Sequence, residues 1–99
     1  MKQRFIWDDK KDRDNQRKHK IAFFTAKKVF QDPYVIDYIP DDEHSEEEDR
    51  YIAIGMVKNV LFVSYTIRYG DVIRIISARP ATADERSFYY DYNGLPRPE

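Results

Sequence analysis

Three segments in the second half of the chain, RYIAIGMV at 50–57, NVLFVSYTIR at 59–68 and DVIRIISAR at 71–79, are rich in Ile, Val, Tyr and Phe and read as strands. Connections this short make an antiparallel meander the simplest topology. In the second hairpin a three-residue loop, Arg68-Tyr69-Gly70, puts Gly70 in the left-handed final position. That register pairs Ile67 with Asp71, Tyr65 with Ile73 and Val63 with Ile75. Leu61, Val63, Tyr65, Ile67, Ile73 and Ile75 then share a core face. Ser64, Thr66, Arg68 and Arg74 share the other, mixed with Val60, Phe62, Val72 and Ile76. A two-residue loop, Tyr69-Gly70, would instead turn Arg74 to the apolar side.

The rest of the chain supplies helices and two shorter strands. QRFIW reads as a short strand with Phe5 and Trp7 on one face, and the following DD offers an N-cap to a charge-rich surface helix from Lys10 to Lys20. In IAFFTAKKVF, at 21–30, Phe23, Ala26 and Phe30 form one helical stripe. Pro33 closes this second helix by disfavouring α geometry at Asp32. YVIDYI reads as a strand, and PDDEHSEEED, with no periodic apolar face, as a loop. TADE, at 82–85, is a capping box, in which Thr82 and Glu85 each satisfy an exposed amide at the start of a helix over 82–92. Gly94 and two prolines end it. The order β-α-α-β-β-β-β-α predicts an α+β fold, an antiparallel sheet covered on one face by helices.

A chain of 99 residues has material for one core, so residues 1–99 are expected to form one domain. Cysteine is absent, which excludes disulfides, thiolate metal sites and thiol nucleophiles and suits a reducing compartment. No apolar run is long enough for a membrane span, and the N-terminus lacks the apolar core of a secretory signal, so the expected location is cytoplasmic. The net charge of −1 hides a division: residues 1–28 hold ten Lys/Arg against four Asp, whereas residues 29–50 hold nine Asp/Glu against Arg50. A near-neutral total argues against tight, charge-driven binding to long duplexes and leaves a local anion site open. IRIISARPATADER, at 73–86, sharpens that point. A strand that only filled a core would not carry Arg74 and Arg79; the two guanidiniums need a partner or a ligand.

The blocks FIWDDKKDRDNQRKHKIAF, VFQDP, HSEEEDRYIAIG and VSYTIRYGDVIRIISARPATADERSFY fall in the same order as in BrnT-type toxins, and the chain resembles that family over most of its length. Trp7-Asp8, Lys18-His19, His44-Ser45-Glu46 and Ile75-Ile76-Ser77-Ala78-Arg79 carry the resemblance. It implies a RelE-like antiparallel sheet with two N-terminal helices and one C-terminal helix packed on it. It also implies a ribonuclease that halts translation with no metal or cofactor. The expected partners are an RNA substrate and a BrnA-like ribbon-helix-helix antitoxin, with DNA met only through the antitoxin and no membrane. Two departures stand out: many BrnT-like sequences have Glu where Ile67 stands and Gly where Lys20 follows His19. The first raises an alternative, a catalytically weakened scaffold that binds an antitoxin and helps regulate transcription.

Metal-free RNA cleavage uses the substrate's own 2′-hydroxyl, so the protein must move two protons and stabilise charge on the phosphate. On the resemblance, Arg68, Arg74 and Arg79 are phosphate-binding candidates, because a guanidinium offers a planar, permanently charged fork. Arg86 or Tyr89 contributes from the last helix. His44 is the first candidate for proton transfer by residue type and His19 the second; Lys18, His19 and Arg86 are candidates for RNA binding. Each has a structural alternative. Arg74 could pair with an acid of the 41–49 loop, Arg79 could cap carbonyls at the sheet edge, and His44 could be a solvated loop residue. Lys18-His19 could serve a helix dipole. Phe88, Tyr89, Tyr90 and Tyr92 suit packing better than base stacking, and the acids of 41–49 lack the spacing of a cation loop.

Overall fold

The computed structural model describes residues 2–44 and 48–98. Strand β1 (Phe5–Ile6) leads into α1 (Asp9–His19) and α2 (Phe23–Ala26), which runs on as a 3-10 segment, Lys27–Gln31. Strand β2 (Ile36–Pro40), a 3-10 turn at Asp42–His44, β3 (Tyr51–Val57), β4 (Asn59–Arg68), β5 (Val72–Pro80) and α3 (Ala83–Asn93) complete the chain. The sheet order is β1-β5-β4-β3-β2. Strands β2 to β5 form the expected antiparallel meander. β1 is the exception to the antiparallel expectation: it lies parallel to β5, Phe5 against Ile73 and Ile6 against Arg74. The hairpin leaves the outer edge of β5 unpaired, and the N-terminal segment caps part of that edge.

The helices occupy both faces of the sheet, not one. Phe23, Ala26 and Val29 pack against Ala53, Val63, Tyr65, Ile73, Ile75 and Ala78 on the first face. On the second, Tyr89 of α3 and Ala81 pack with Ile36, Ile52, Ile54 and Val60. Alternation explains the second layer: Ile52 and Ile54 flank Ala53 in β3, so burying Ala53 beneath α2 turns two isoleucines to the other side, where α3 covers them. The capping box is formed as predicted, and Gly94 ends the helix at φ 64°. Gly55 lets the two layers close up, since a Cβ there would stand 2.7 Å from Val29 Cγ1 and 3.0 Å from the Val29 carbonyl.

Helix α1 is polar, as expected, and is fastened by one side chain that the sequence reading did not single out. Asn15, 7% exposed, donates to the carbonyls of Ile21 and Ala78 at 2.9 Å each and accepts from the Ala78 amide at 3.1 Å. Its amide thus continues the ladder on the β5 edge beyond the two residues that β1 covers. The cap of α1 at Lys20 (φ 61°) and the β3–β4 turn at Lys58 (φ 64°) are both left-handed, a conformation that costs a residue other than glycine about 1 kcal/mol.

The β4–β5 hairpin differs from expectation in register and keeps its faces. Arg68 pairs with Val72 around a loop of Tyr69, Gly70 and Asp71, and Tyr65 pairs with Ile75 rather than Ile73. A slip of two residues leaves the side chains from Val72 to Ile75 on their predicted faces. Tyr69 and Gly70 both have positive φ, 53° and 86°, so the chain reverses one residue later than a loop with Gly70 last would require.

Candidate active site

A bulge sets the arginines on one face of the sheet. Register runs Thr66–Arg74 and Tyr65–Ile75, then jumps to Ser64–Ser77, Val63–Ala78 and Phe62–Arg79, leaving Ile76 as the extra residue. Arg74 and Arg79 are five positions apart and would fall on opposite faces of a regular strand. With Ile76 unpaired, Arg74 beside Thr66 and Arg79 beside Phe62 share one face, and Arg68, two residues from Thr66, lies on it too. Helix α3 covers only part of this face. What remains includes a cleft of about 320 Å³ lined by Asp41, Glu43, Arg50, Phe62, Ser77 and Arg79.

Each arginine has different company. Arg79 lies over the Phe62 ring, 3.9 Å from its centroid, and its Nη1 and Nη2 reach Glu85 Oε1 and Oε2 at 2.8 and 2.9 Å. A further Nη1 bond goes to the Pro80 carbonyl at 3.2 Å. This takes the outer edge of the guanidinium; the side edge, Nε with the second Nη2 hydrogen, makes no hydrogen bond among the described residues and offers a second fork. The Glu85 hydrogen bond raises the pKa of Arg79. Burial pushes the Glu85 carboxyl up, but its bonds from Arg79 and Thr82 outweigh that and leave it below the usual glutamate value. Arg68 Nη2 meets Glu48 at 3.1 Å, and its Nε is buried without a hydrogen-bond partner among the described residues. Arg74 makes no ion pair among the described residues. The acidic loop therefore partners Arg68, through Glu48, and its return limb is pinned where Thr66 Oγ1 donates to the Asp49 carbonyl at 2.8 Å.

The other candidates divide. Lys18 and His19 line a hollow of about 270 Å³ against Ile76 and Ser77, and Ser77 also lines the arginine cleft. Arg86 turns away from that cleft, its Nη1 bonded to the Ala81 carbonyl at 2.9 Å. Tyr89 is 2% exposed, and its hydroxyl donates to Asp32 Oδ2 at 2.6 Å; burial and the Asp32 charge raise its pKa. The structure thus puts Tyr89 in the core under α3, away from the arginines. His44 ends the 3-10 turn Asp42–His44; its side chain, with Ser45, Glu46 and Glu47, lies outside the described residues. Ile67 pairs with Ile73 and packs on the helix-covered core, so the Ile67 departure removes no group from the arginine face. Glu85 is the site residue that sequence reasoning saw only as a cap. Its place six residues after Arg79, across one Pro, was the available signal.

Fold and site define a small α+β protein whose sheet gathers arginines on one partly open face. Its family follows from comparison: the model of the ribonuclease toxin BrnT of type II toxin-antitoxin systems matches residues 7–85, and the chain belongs to that family. It is similar in fold to the 1.1 Å crystal structure of the Brucella abortus ribonuclease toxin, BrnT. That match has 21% identity and a TM-score of 0.62 and covers 82% of this chain and 99% of that one. No curated protein matches the chain.

Proposed function

We propose that this chain is the toxin of a type II pair, an endoribonuclease that halts translation by cleaving RNA without a metal ion. Membership in a family of ribonuclease toxins supplies the reaction class; the bulge at Ile76, which sets Arg68, Arg74 and Arg79 on one face, is the observation that carries the residue assignment. The 2′-hydroxyl of the substrate attacks the adjacent phosphate, and charge grows on the non-bridging oxygens as the 5′-oxygen leaves. Arg74 meets those oxygens directly. Arg79, steadied by Glu85 and Phe62, presents its side edge, a preorganised donor pair that needs no rearrangement during the reaction. Arg68 engages the phosphate in exchange for Glu48. His44, with His19 second, is assigned the proton transfers, and Lys18, His19 and Arg86 contacts along the strand. Tyr89 is left out, because its hydroxyl is already committed to Asp32.

A ribbon-helix-helix antitoxin of the BrnA type is the proposed partner, covering the arginine face and carrying any contact with DNA. The test is cleavage of a mixed-sequence RNA in EDTA, with the product ends resolved. Products ending in 2′,3′-cyclic phosphate, and at least a tenfold loss of rate in each of Arg68→Ala, Arg74→Ala and Arg79→Ala, are expected. Undiminished cutting by all three variants would remove the assignment.

A further inference from the structure

A groove of about 750 Å³ opens at the end of the sheet, between the α1–α2 connection and α3. Its lining includes His19, Lys20, Lys58 and Arg86 and, among the described residues, no Asp or Glu. The arginine cleft differs: Asp41 and Glu43 line it beside Arg50 and Arg79, and Arg68 and Arg79 each hold a carboxylate. An anion therefore finds more uncompensated positive charge in the groove than on the arginine face. The bond from Arg86 to the Ala81 carbonyl fixes that side chain without cancelling its charge.

A second observation is independent of charge counting. Lys20 and Lys58 occupy left-handed backbone positions, φ 61° and 64°, where helix-end and turn geometry favours glycine or asparagine. Lys20 has a local role as well, since its Nζ reaches the Arg17 carbonyl at 3.5 Å at the end of α1, whereas Lys58 makes no side-chain hydrogen bond among the described residues; both line the same groove. Strained choices of this kind mark functional positions when they converge. The groove is also joined to the cleft by shared walls. His19 lines both the groove and the Lys18 hollow, and Ser77 lines both that hollow and the cleft.

We propose that the groove anchors single-stranded RNA beyond the scissile phosphate: the strand leaves the arginine cleft over Ser77, passes Lys18 and His19, and settles between Lys20, Lys58 and Arg86. The apolar part of the lining, Met56, Val57 and Tyr90, gives a base a surface to lie against. The inference rests on the RNA-cleavage reading, adding to it a division of labour in which the arginine face does chemistry and the groove supplies strand affinity.

The test measures binding apart from cutting. A fluorescein-labelled 2′-O-methyl decaribonucleotide, which has no hydroxyl to attack, is titrated with the full chain by anisotropy in EDTA across a salt series. Lys20→Gly/Lys58→Gly relieves the backbone at both positions, so its urea midpoint should equal or exceed that of the parent. Its affinity for the probe at low salt should fall at least tenfold, and the slope of log K against log salt should drop by roughly 1.4, about 0.7 for each cation removed. Unchanged affinity and slope in the double variant would overturn the proposal, as would tighter groove-dependent binding of a ten-residue polyglutamate than of the RNA probe. Groove-dependent binding by a parent protein that fails to cut unmodified RNA would support the groove and sink the cleavage reading alone.

Discussion

Arg74 and Arg79 share a face but not an environment, and the difference separates function from stability at single residues. Arg79→Ala removes a bidentate ion pair, partly buried at 35% and 22% side-chain exposure, and uncovers Phe62. It should cost about 2 kcal/mol of stability, in the range for hydrogen bonds to charged groups, as well as at least tenfold in cleavage. Arg74→Ala, with no ion pair among the described residues to lose, should match it in cleavage while changing the free energy of urea unfolding by no more than about 0.5 kcal/mol. Equal stability losses would show that Arg74 has a structural partner. Glu85 adds a pH signature. Its carboxyl sits below the ordinary glutamate value of 4.5, so its stabilisation is complete above about that pH and is lost as pH falls through the lowered folded value. Melting curves at pH 7 and pH 3 should therefore show a smaller drop for Glu85→Gln than for the parent. Ile67 tests the weakened-scaffold alternative. Because it is partly buried against the covered core, Ile67→Glu should destabilise by about 1–3 kcal/mol through lost apolar packing and partial desolvation of a carboxyl without raising cleavage; a faster enzyme would restore that alternative.

At the scale of elements, the junction between α1 and β5 carries the sharpest expectation. Asn15 supplies two donors and an acceptor to Ala78 and Ile21, so Asn15→Ala should cost about 3 kcal/mol by leaving buried backbone groups unpaired. Asn15→Asp should cost more, since it turns an acceptor toward two carbonyls, and hydrogen exchange at the Ala78 amide should quicken in both. What could be read from sequence follows the range of each signal. The capping box and the three long strands depend on neighbours a few positions apart, and all were legible. Asn15 joins positions 63 residues apart, the parallel β1–β5 pairing joins 5 to 73, and both depend on where the helices settle. The bulge at Ile76 was hidden for another reason. IRIISAR alternates well enough for Ile73, Arg74 and Ile75, and only the need to bury Ala78 while keeping Arg79 off the core reveals the extra residue. The α3 layer was foreshadowed by Ile52 and Ile54 flanking Ala53, a double-faced strand that one helical layer cannot cover.

For the whole molecule, the two helical layers leave one part of one sheet face open, and the proposal is that the antitoxin closes it. Cleavage and partner binding should then be separable, because an antitoxin recognises surface shape and charge over many residues whereas chemistry depends on a few donors. The arrangement is testable in a bacterial host. Inducing the chain alone should arrest growth, and co-expressing the adjacent coding region should relieve the arrest. Arg74→Ala, chosen because the described structure gives that side chain no ion pair to lose, should cause no arrest yet co-purify with the neighbour's product at the parent's stoichiometry. If the parent causes no arrest while still forming the complex, the chain acts as a binding scaffold. If Arg74→Ala loses both arrest and complex, the arginine face belongs to partner recognition, and the chemistry must be sought elsewhere on the sheet.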